Sequence, residues 1–299
     1  MKQRWKANLA ALALGGLLLP GCASHNNAHQ EPVALPDTDF EVRTSVRFSP
    51  EDWPEALSAD LYLPELPGPT PAVLLVHGGG WERRSREDMT WIAEELAGHG
   101  FAVMNIDYRF APDYLFPAQL HDLQVAMRWL RQQAVSYRID PDAISAFGFS
   151  SGAHLVSLLA VTSDPGHPLS APHDGPATRP IAVVAGGLPS DLRRFDSGRL
   201  IRQFLGGTEQ EKPETYRLAS PIAHVSAEAP PFFLFHGNLD MLVPAEQAED
   251  FHKALLEYGV HSELYMMHLR GHITSFLTAG NAVEQAIDFL ARFGRGQQR

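Results

Sequence analysis

Ser150, Asp240 and His272 are far apart in a 299-residue chain, yet their types are the three that together activate a serine. A serine hydroxyl is a poor nucleophile at neutral pH. Acyl transfer from it needs an imidazole to take the proton, and a carboxylate to fix that imidazole's tautomer and stabilise its cation. Ser150 is centred in Gly148-Phe149-Ser150-Ser151-Gly152, a G-x-S-x-G pattern whose flanking glycines let two backbones pass closely around a sharply turned residue. The tetrahedral intermediate of such a reaction also needs hydrogen-bond donors for its oxyanion. "HGGG", His77 to Gly80, offers backbone N-H groups free of side chains at Gly78 and Gly79, and the N-H of Ser151 at the start of the following helix adds another.

Each position has a rival. Ser151 reads as the first helical residue beside the nucleophile, because the motif register centres on Ser150. His268 falls inside a strand pattern, whereas His272 follows Arg270-Gly271 in a loop. Asp191 and Asp174 compete with Asp240, which alone directly follows a strand at the required point in the chain. His77 reads as a brace for the glycine loop, His154 as a buried helix residue, and Asp107, Tyr108 and Arg109 as a hydrogen-bonded brace. Trp81 suits pocket lining and packing equally well.

The elements that would position these residues follow from apolar patterning. "FEVRTSVRFS" (40–49) and "LSADLYL" (57–63) alternate as an antiparallel opening pair. Short apolar runs at 72–78, 101–108, 143–149, 181–187, 231–237 and 262–269 read as strands buried on both faces. Helical patterns fall at 86–98, 117–136, 151–161, 244–258 and 281–293. Alternation of strand and helix implies parallel strands joined by right-handed crossovers, so the expectation is an α/β, doubly wound sheet of eight mostly parallel strands with helices on both faces. In such sheets ligands bind at the carboxyl ends of the strands, where the glycine loop, Ser150, Asp240 and His272 all fall. The segment 188–229, with a helix expected near 197–205, is long enough to form a small lid over that edge.

The first residues differ from the rest. Lys2, Arg4 and Lys6 precede an apolar run from Leu9 to Leu19, too short to span a bilayer comfortably and laid out as a secretory signal. Cys22, the sole cysteine, follows at once in "LPGC", which resembles a lipobox. The expectation is a lipoprotein-type signal over 1–21, a lipid on Cys22, a polar tether over 22–38 and one catalytic domain over 39–299, carried on the cell envelope. Removing residues 1–21 leaves a net charge of -14, from -11 for the whole chain. That balance argues against nucleic acid or an anionic membrane surface as an electrostatic partner. No metal-ligand spacing, P-loop or dinucleotide motif is present, so neither a metal nor a cofactor is expected.

Residues 72–160 and 215–272 resemble the esterase/lipase branch of the α/β-hydrolases that carries "HGGGW", close to hormone-sensitive-lipase-type carboxylesterases and to bacterial feruloyl or acetyl-xylan esterase-like proteins. "YRFAPDYLFPAQLHDLQVAMRWLRQQAVSYRIDPDAI" (108–144) and "ASPIAHVSAEAPPFFLFHGNLDMLVP" (219–244) match that branch almost throughout. The resemblance implies an α/β-hydrolase fold and a serine carboxylesterase for small-molecule esters, with Ser150, Asp240 and His272 as triad and Gly78, Gly79 and Ser151 as oxyanion donors. Where relatives have alanine in "DSAGG", this chain has Ser151, and the amino-terminal cap helices of the hormone-sensitive-lipase group have no counterpart in 23–39. The same machinery would also serve an aryl formamidase, a lactonase or a carbohydrate deacetylase. A catalytically silent binding module would be expected to lack a triad member.

Overall fold

The computed structural model describes residues 23–28, 33–170, 173, 175–195 and 198–294. The signal-like segment 1–21 and Cys22 lie outside the described residues, as does the rival Asp174. Nine strands form one sheet: β1 (Ala23–Asn26), β2 (Phe40–Arg47), β3 (Ser58–Pro64), β4 (Thr70–Val76), β5 (Ala102–Ile106), β6 (Ile139–Phe149), β7 (Val183–Gly186), β8 (Phe232–Gly237) and β9 (Ser262–Met267). Their order is β1-β9-β8-β7-β6-β4-β5-β3-β2. The six strands from β5 to β9 in that row run parallel, while β2/β3, β3/β5 and β1/β9 pair antiparallel.

The continuous apolar runs form central strands because both faces are covered. In β4, Leu74 and Val76 join one core with Leu120 and Leu123 of α2 (Ala118–Gln132), Leu155 and Leu158 of α3 (Ser151–Val161) and Phe251 and Leu255 of α6 (Glu246–Glu257). Val73 and Leu75 join the other, with Ile92 and Leu96 of α1 (Thr90–Gly98) and Val283, Ile287 and Leu290 of α8 (Gly280–Phe293). Period-two alternation with no exposed face is what a doubly wound parallel sheet requires.

The ninth strand is a departure from the sequence reading. "ASHN" carries no apolar alternation and looked like tether, yet it pairs with β9 in the register Ala23↔Met267 to Asn26↔Leu264. An edge strand is held mainly by backbone hydrogen bonds, which leave no hydropathy signal. His25 adds a side-chain link, lying 3.0 Å from the buried Glu263 and packing edge-on against Phe233 and Tyr265. Farther along, Val33 donates its N-H to Asp288 Oδ1 at 2.7 Å, and Val33 and Leu35 pack on the α1/α8 core.

Between β7 and β8 the insertion forms α4 (Arg199–Leu205) and α5 (Pro213–Leu218) with 3-10 turns at Leu192–Phe195 and Pro221–His224. Leu192, Phe204, Leu205 and Tyr216 are fully buried, so the segment packs into the domain. A further short helix, α7 (His272–Leu277), was not evident from periodicity because six residues are under two turns. Among the described residues, no helix is long and apolar enough to cross a membrane.

Candidate active site

Ser150 sits between β6 and α3 with φ 54° and ψ -120°, a left-handed backbone that a non-glycine residue adopts only when its surroundings enforce it. The two motif glycines are those surroundings. A Cβ on Gly148 would lie 2.3 Å from the Gly152 carbonyl carbon, and one on Gly152 only 2.2 Å from the Val76 carbonyl oxygen. Helix α3 therefore starts in contact with the end of β4, beside the β6-to-α3 turn that carries Ser150. Ser150 N-H donates to Gly186 O at 2.7 Å, tying the turn to the end of β7.

Ser150 Oγ donates to His272 Nε2 at 2.9 Å, and His272 donates its Nδ1-H to Asp240 Oδ2 at 2.6 Å. Three residues from three separate strand-helix connections thus form one chain of hydrogen bonds. Asp240 is 6% exposed and His272 7%, so an ion pair formed there by proton transfer would be shielded from water. Asp240 Oδ1 accepts the N-H groups of Leu242 and Val243 at 2.9 and 2.8 Å. Burial pushes the Asp240 carboxyl up, but hydrogen bonds from His236, His272 and Val243 outweigh it and hold the group well below the usual carboxylate range. Asp240 is consequently anionic beside the imidazole.

His236 was not singled out in the sequence. Its Nε2-H donates to Val243 O at 2.8 Å and lies 3.3 Å from Asp240 Oδ2, so a second histidine fixes the carboxylate loop from below. The signal available was its place in "HGNLD", four residues ahead of the acid at the end of a strand. Phe149 and Phe276 are further neighbours, with ring centroids 5.1 Å from His272 to Phe149 and 4.7 Å between the two phenylalanines. Gly187 (φ 58°) passes so close that a Cβ there would stand 3.0 Å from His272 Cε1.

The glycine loop lies against the serine: a Cβ on Gly78 would be 3.2 Å from Ser150 Cβ. Gly79 (φ 119°) and Gly80 (φ 64°) have backbones open to glycine, and a Cβ on Gly79 would meet Arg83 O at 2.0 Å. Ser151 is the first residue of α3, where the helix dipole favours negative charge. Its hydroxyl is buried and shares a 3.2 Å hydrogen bond with Tyr108 OH, which also donates to His77 O at 3.2 Å. Tyr108 thereby braces the helix start to the glycine loop, and Ser151 stands apart from the Ser150-His272-Asp240 bond chain. His77 stacks on Tyr108 and donates Nδ1-H to Gly78 O at 2.6 Å, and burial keeps its imidazole below the usual histidine range.

Other sequence rivals lie elsewhere. Asp191 pairs with Arg193 at 2.7 Å, and His268 approaches Asn238 Nδ2 at 3.4 Å. His154 accepts the Trp81 indole N-H at 3.3 Å and donates to Ala219 O at 2.6 Å, as a satisfied core residue. Asp107 bonds Arg86, and Arg109 grips the buried Asp122. Trp81 stacks on Phe204 of α4 at 4.5 Å, and Leu200 would be 2.9 Å from a Cβ on Gly80. Arg199 bonds both oxygens of Glu82 at 3.0 and 2.9 Å. The insertion is therefore docked on the glycine loop. Among the described residues, no group of three His, Cys, Asp or Glu stands together as a metal site.

The model of the BD-FAE family matches residues 59–255, from β3 through α6 and across the serine turn, glycine loop and acid. The chain belongs to the BD-FAE family. The fold is that of the α/β-hydrolases. Esterase LipC of Mycobacterium tuberculosis is 34% identical over 194 residues, covering 61% of this chain and 47% of that protein. The probable carboxylic ester hydrolase LipM of the same organism is 30% identical, covering 75% of this chain and 54% of its own length. This BD-FAE chain thus spans about half the length of the curated relatives it matches. Among solved structures, a truncated carbohydrate esterase from gut microbiota superposes with a TM-score of 0.77 at 25% identity, covering 87% of this chain and 99% of that one. Esterase 2 of Thermogutta terrifontis, phosphoramylated by tabun, gives 0.72 at 26% identity over 89% and 98%.

Proposed function

We propose that this BD-FAE chain is a serine carboxylic-ester hydrolase for short-chain or aryl esters, working through an acyl-enzyme on Ser150. The observation that carries the reading is the bond chain Ser150-His272-Asp240 at 2.9 and 2.6 Å, mounted on a positive-φ turn beside a glycine loop. Support also comes from the esterases to which the chain is similar.

In the acylation step Ser150 Oγ bonds to the ester carbonyl carbon as its proton moves to His272 Nε2. The imidazolium is stabilised by the anionic Asp240 through Nδ1-H. Charge on the former carbonyl oxygen is met by backbone N-H groups of Gly78, Gly79 and Ser151, with the α3 dipole adding to them. His272 then protonates the alkoxy oxygen, the C-O bond breaks and the alcohol leaves. Water attacks the acyl-enzyme with His272 again taking the proton, and the carboxylic acid departs with Ser150 restored.

A second reading, hydrolysis of ester groups on carbohydrate, is favoured by similarity across 99% of a gut carbohydrate esterase. The proposal includes export to the cell envelope and a lipid on Cys22, which rests on Leu19 to Cys22 following the short apolar run. Ser150→Ala is expected to lower turnover of p-nitrophenyl acetate by about 10⁴-fold or more, with the fold intact by circular dichroism. Retained turnover would refute the mechanism. A panel varying the acyl and alcohol parts separately, with acetylated sugars included, separates the two substrate readings by kcat/KM.

A further inference from the structure

Of the large hydrophobic side chains exposed among the described residues, eleven in all, six lie on the two loops that carry the acid and the base. Leu239, Met241 and Leu242 surround Asp240 after β8; Leu269, Ile273 and Leu277 surround His272 after β9. Met241 is 97% exposed and Leu277 72%, while Asp240 and His272 between them are buried. The two loops form one surface, because Leu239 N-H donates to Arg270 O at 2.9 Å and Leu269 N-H to Asn238 Oδ1 at 2.7 Å. On α7, His272 and Ser275 face inward and Ile273 and Leu277, one turn apart, face out. Hydration of so many apolar groups in one patch is costly, and such patches mark places that meet another apolar phase.

The start of the described chain says which phase. β1 runs antiparallel to β9, so its first residue, Ala23, pairs with Met267 at the carboxyl end of β9, the same edge of the sheet that holds the site. Met267 O accepts Asn238 N-H at 3.0 Å, and Leu239 and Leu269 follow within two residues on either side of that bond. Cys22 is the residue bonded to Ala23. A lipid on Cys22 would therefore be attached one residue before the strand that ends beside the apolar rim.

We infer that the apolar rim around the triad is a docking surface for a lipid bilayer, and that β1 holds the anchor so that the mouth of the site faces the membrane. The inference rests on the esterase and lipid-anchor readings above and adds an orientation to them. Esters partitioned into the bilayer would then reach Ser150 without crossing bulk water.

Orientation can be read with the full chain on phosphatidylcholine vesicles. The chain is held by its own anchor or, where Cys22 is unmodified, by a maleimide lipid coupled to that sole thiol, so the result does not depend on how the cell treats Cys22. A tryptophan is introduced by Met241→Trp at the rim or by Tyr258→Trp, which lies at the opposite edge of the sheet just before β9. With brominated acyl chains, the added fluorescence of Met241→Trp is expected to fall about twofold or more and that of Tyr258→Trp to stay unchanged. Equal quenching at both positions, or none at 241, overturns the inference. So would a dimer in solution that Met241→Glu dissociates while position 241 stays unquenched, since the rim would then join two copies of the chain. In parallel, Leu269→Glu with Leu277→Glu should keep turnover of soluble p-nitrophenyl acetate within about twofold and lower hydrolysis of a vesicle-held ester by about tenfold, roughly 1.4 kcal/mol of lost docking. An equal effect on both substrates would count against docking. Loss of all soluble turnover in the unmutated chain would instead refute the esterase reading and leave the quenching result standing.

Discussion

Asp240 Oδ1 accepts two backbone N-H groups, from Leu242 and Val243, and Oδ2 faces donors on His236 and His272. In Asp240→Asn, the two backbone donors hold the amide oxygen at the Oδ1 position and turn the NH2 toward His272. The imidazole must then accept at Nδ1 and carry its proton on Nε2, where it cannot take the proton of Ser150. Turnover should fall by about 10⁴-fold with little change in KM, as steady-state kinetics on a soluble aryl ester would measure. At this scale the sequence was most legible. All three side chains follow strands and the elbow glycines sit at fixed offsets, so the meeting of Ser150, Asp240 and His272 is readable from type and place. His236 was not, because a histidine inside a buried strand gives no sign of whether it packs or braces a neighbouring loop.

At the scale of elements, the site depends on close approach between backbones. A Cβ on Gly152 would stand 2.2 Å from Val76 O and 2.6 Å from His77 O, so Gly152→Ala must push α3 away from the end of β4 and the glycine loop that continues it. We expect a loss of about 3 kcal/mol or more, at the upper end of overpacking costs, seen as a melting temperature lower by roughly 6 °C or more. Loss of activity should accompany it, since the displaced strand leads straight into His77 to Gly80. Central strands and long amphipathic helices were readable because burial on two faces imposes continuous apolar runs, and burial on one imposes a 3.6-residue period. β1 and α7 were not. "ASHN" is held by backbone pairing and the His25-Glu263 contact, and "HITSFL" is too short for a period to declare itself. The segment 188–229 stands out by its length, but its seat on the glycine loop depends on Phe204, Leu200 and Arg199 finding partners at least 117 residues away, which no local pattern reports.

For the whole molecule, acid should be the destabilising direction, in two stages. Burial lowers His121, His154 and His224 to about 4 from an ordinary 6.5. Between those values the unfolded chain binds protons that the folded chain refuses, so stability falls as pH falls from 6.5 to 4 and this contribution levels off below. The fully buried His154, satisfied by Trp81 and Ala219, is a main contributor. Asp240 and Glu263 are depressed carboxylates; their stabilisation is present above about pH 4 and is lost as pH falls toward their folded values. Denaturant melts at pH 7, 5.5 and 4.5 should show a steady decline, and a flat profile would mean that these histidines are protonated within the fold. The assembled molecule is expected to make one serine of the chain nucleophilic. Treating the intact protein with a fluorophosphonate and mapping the adduct by mass spectrometry tests it directly. A single phosphonyl group is expected, on Ser150, that Ser150→Ala and prior heat denaturation both abolish. A folded protein that takes up no adduct, or carries it on Ser151 or another residue, would contradict it.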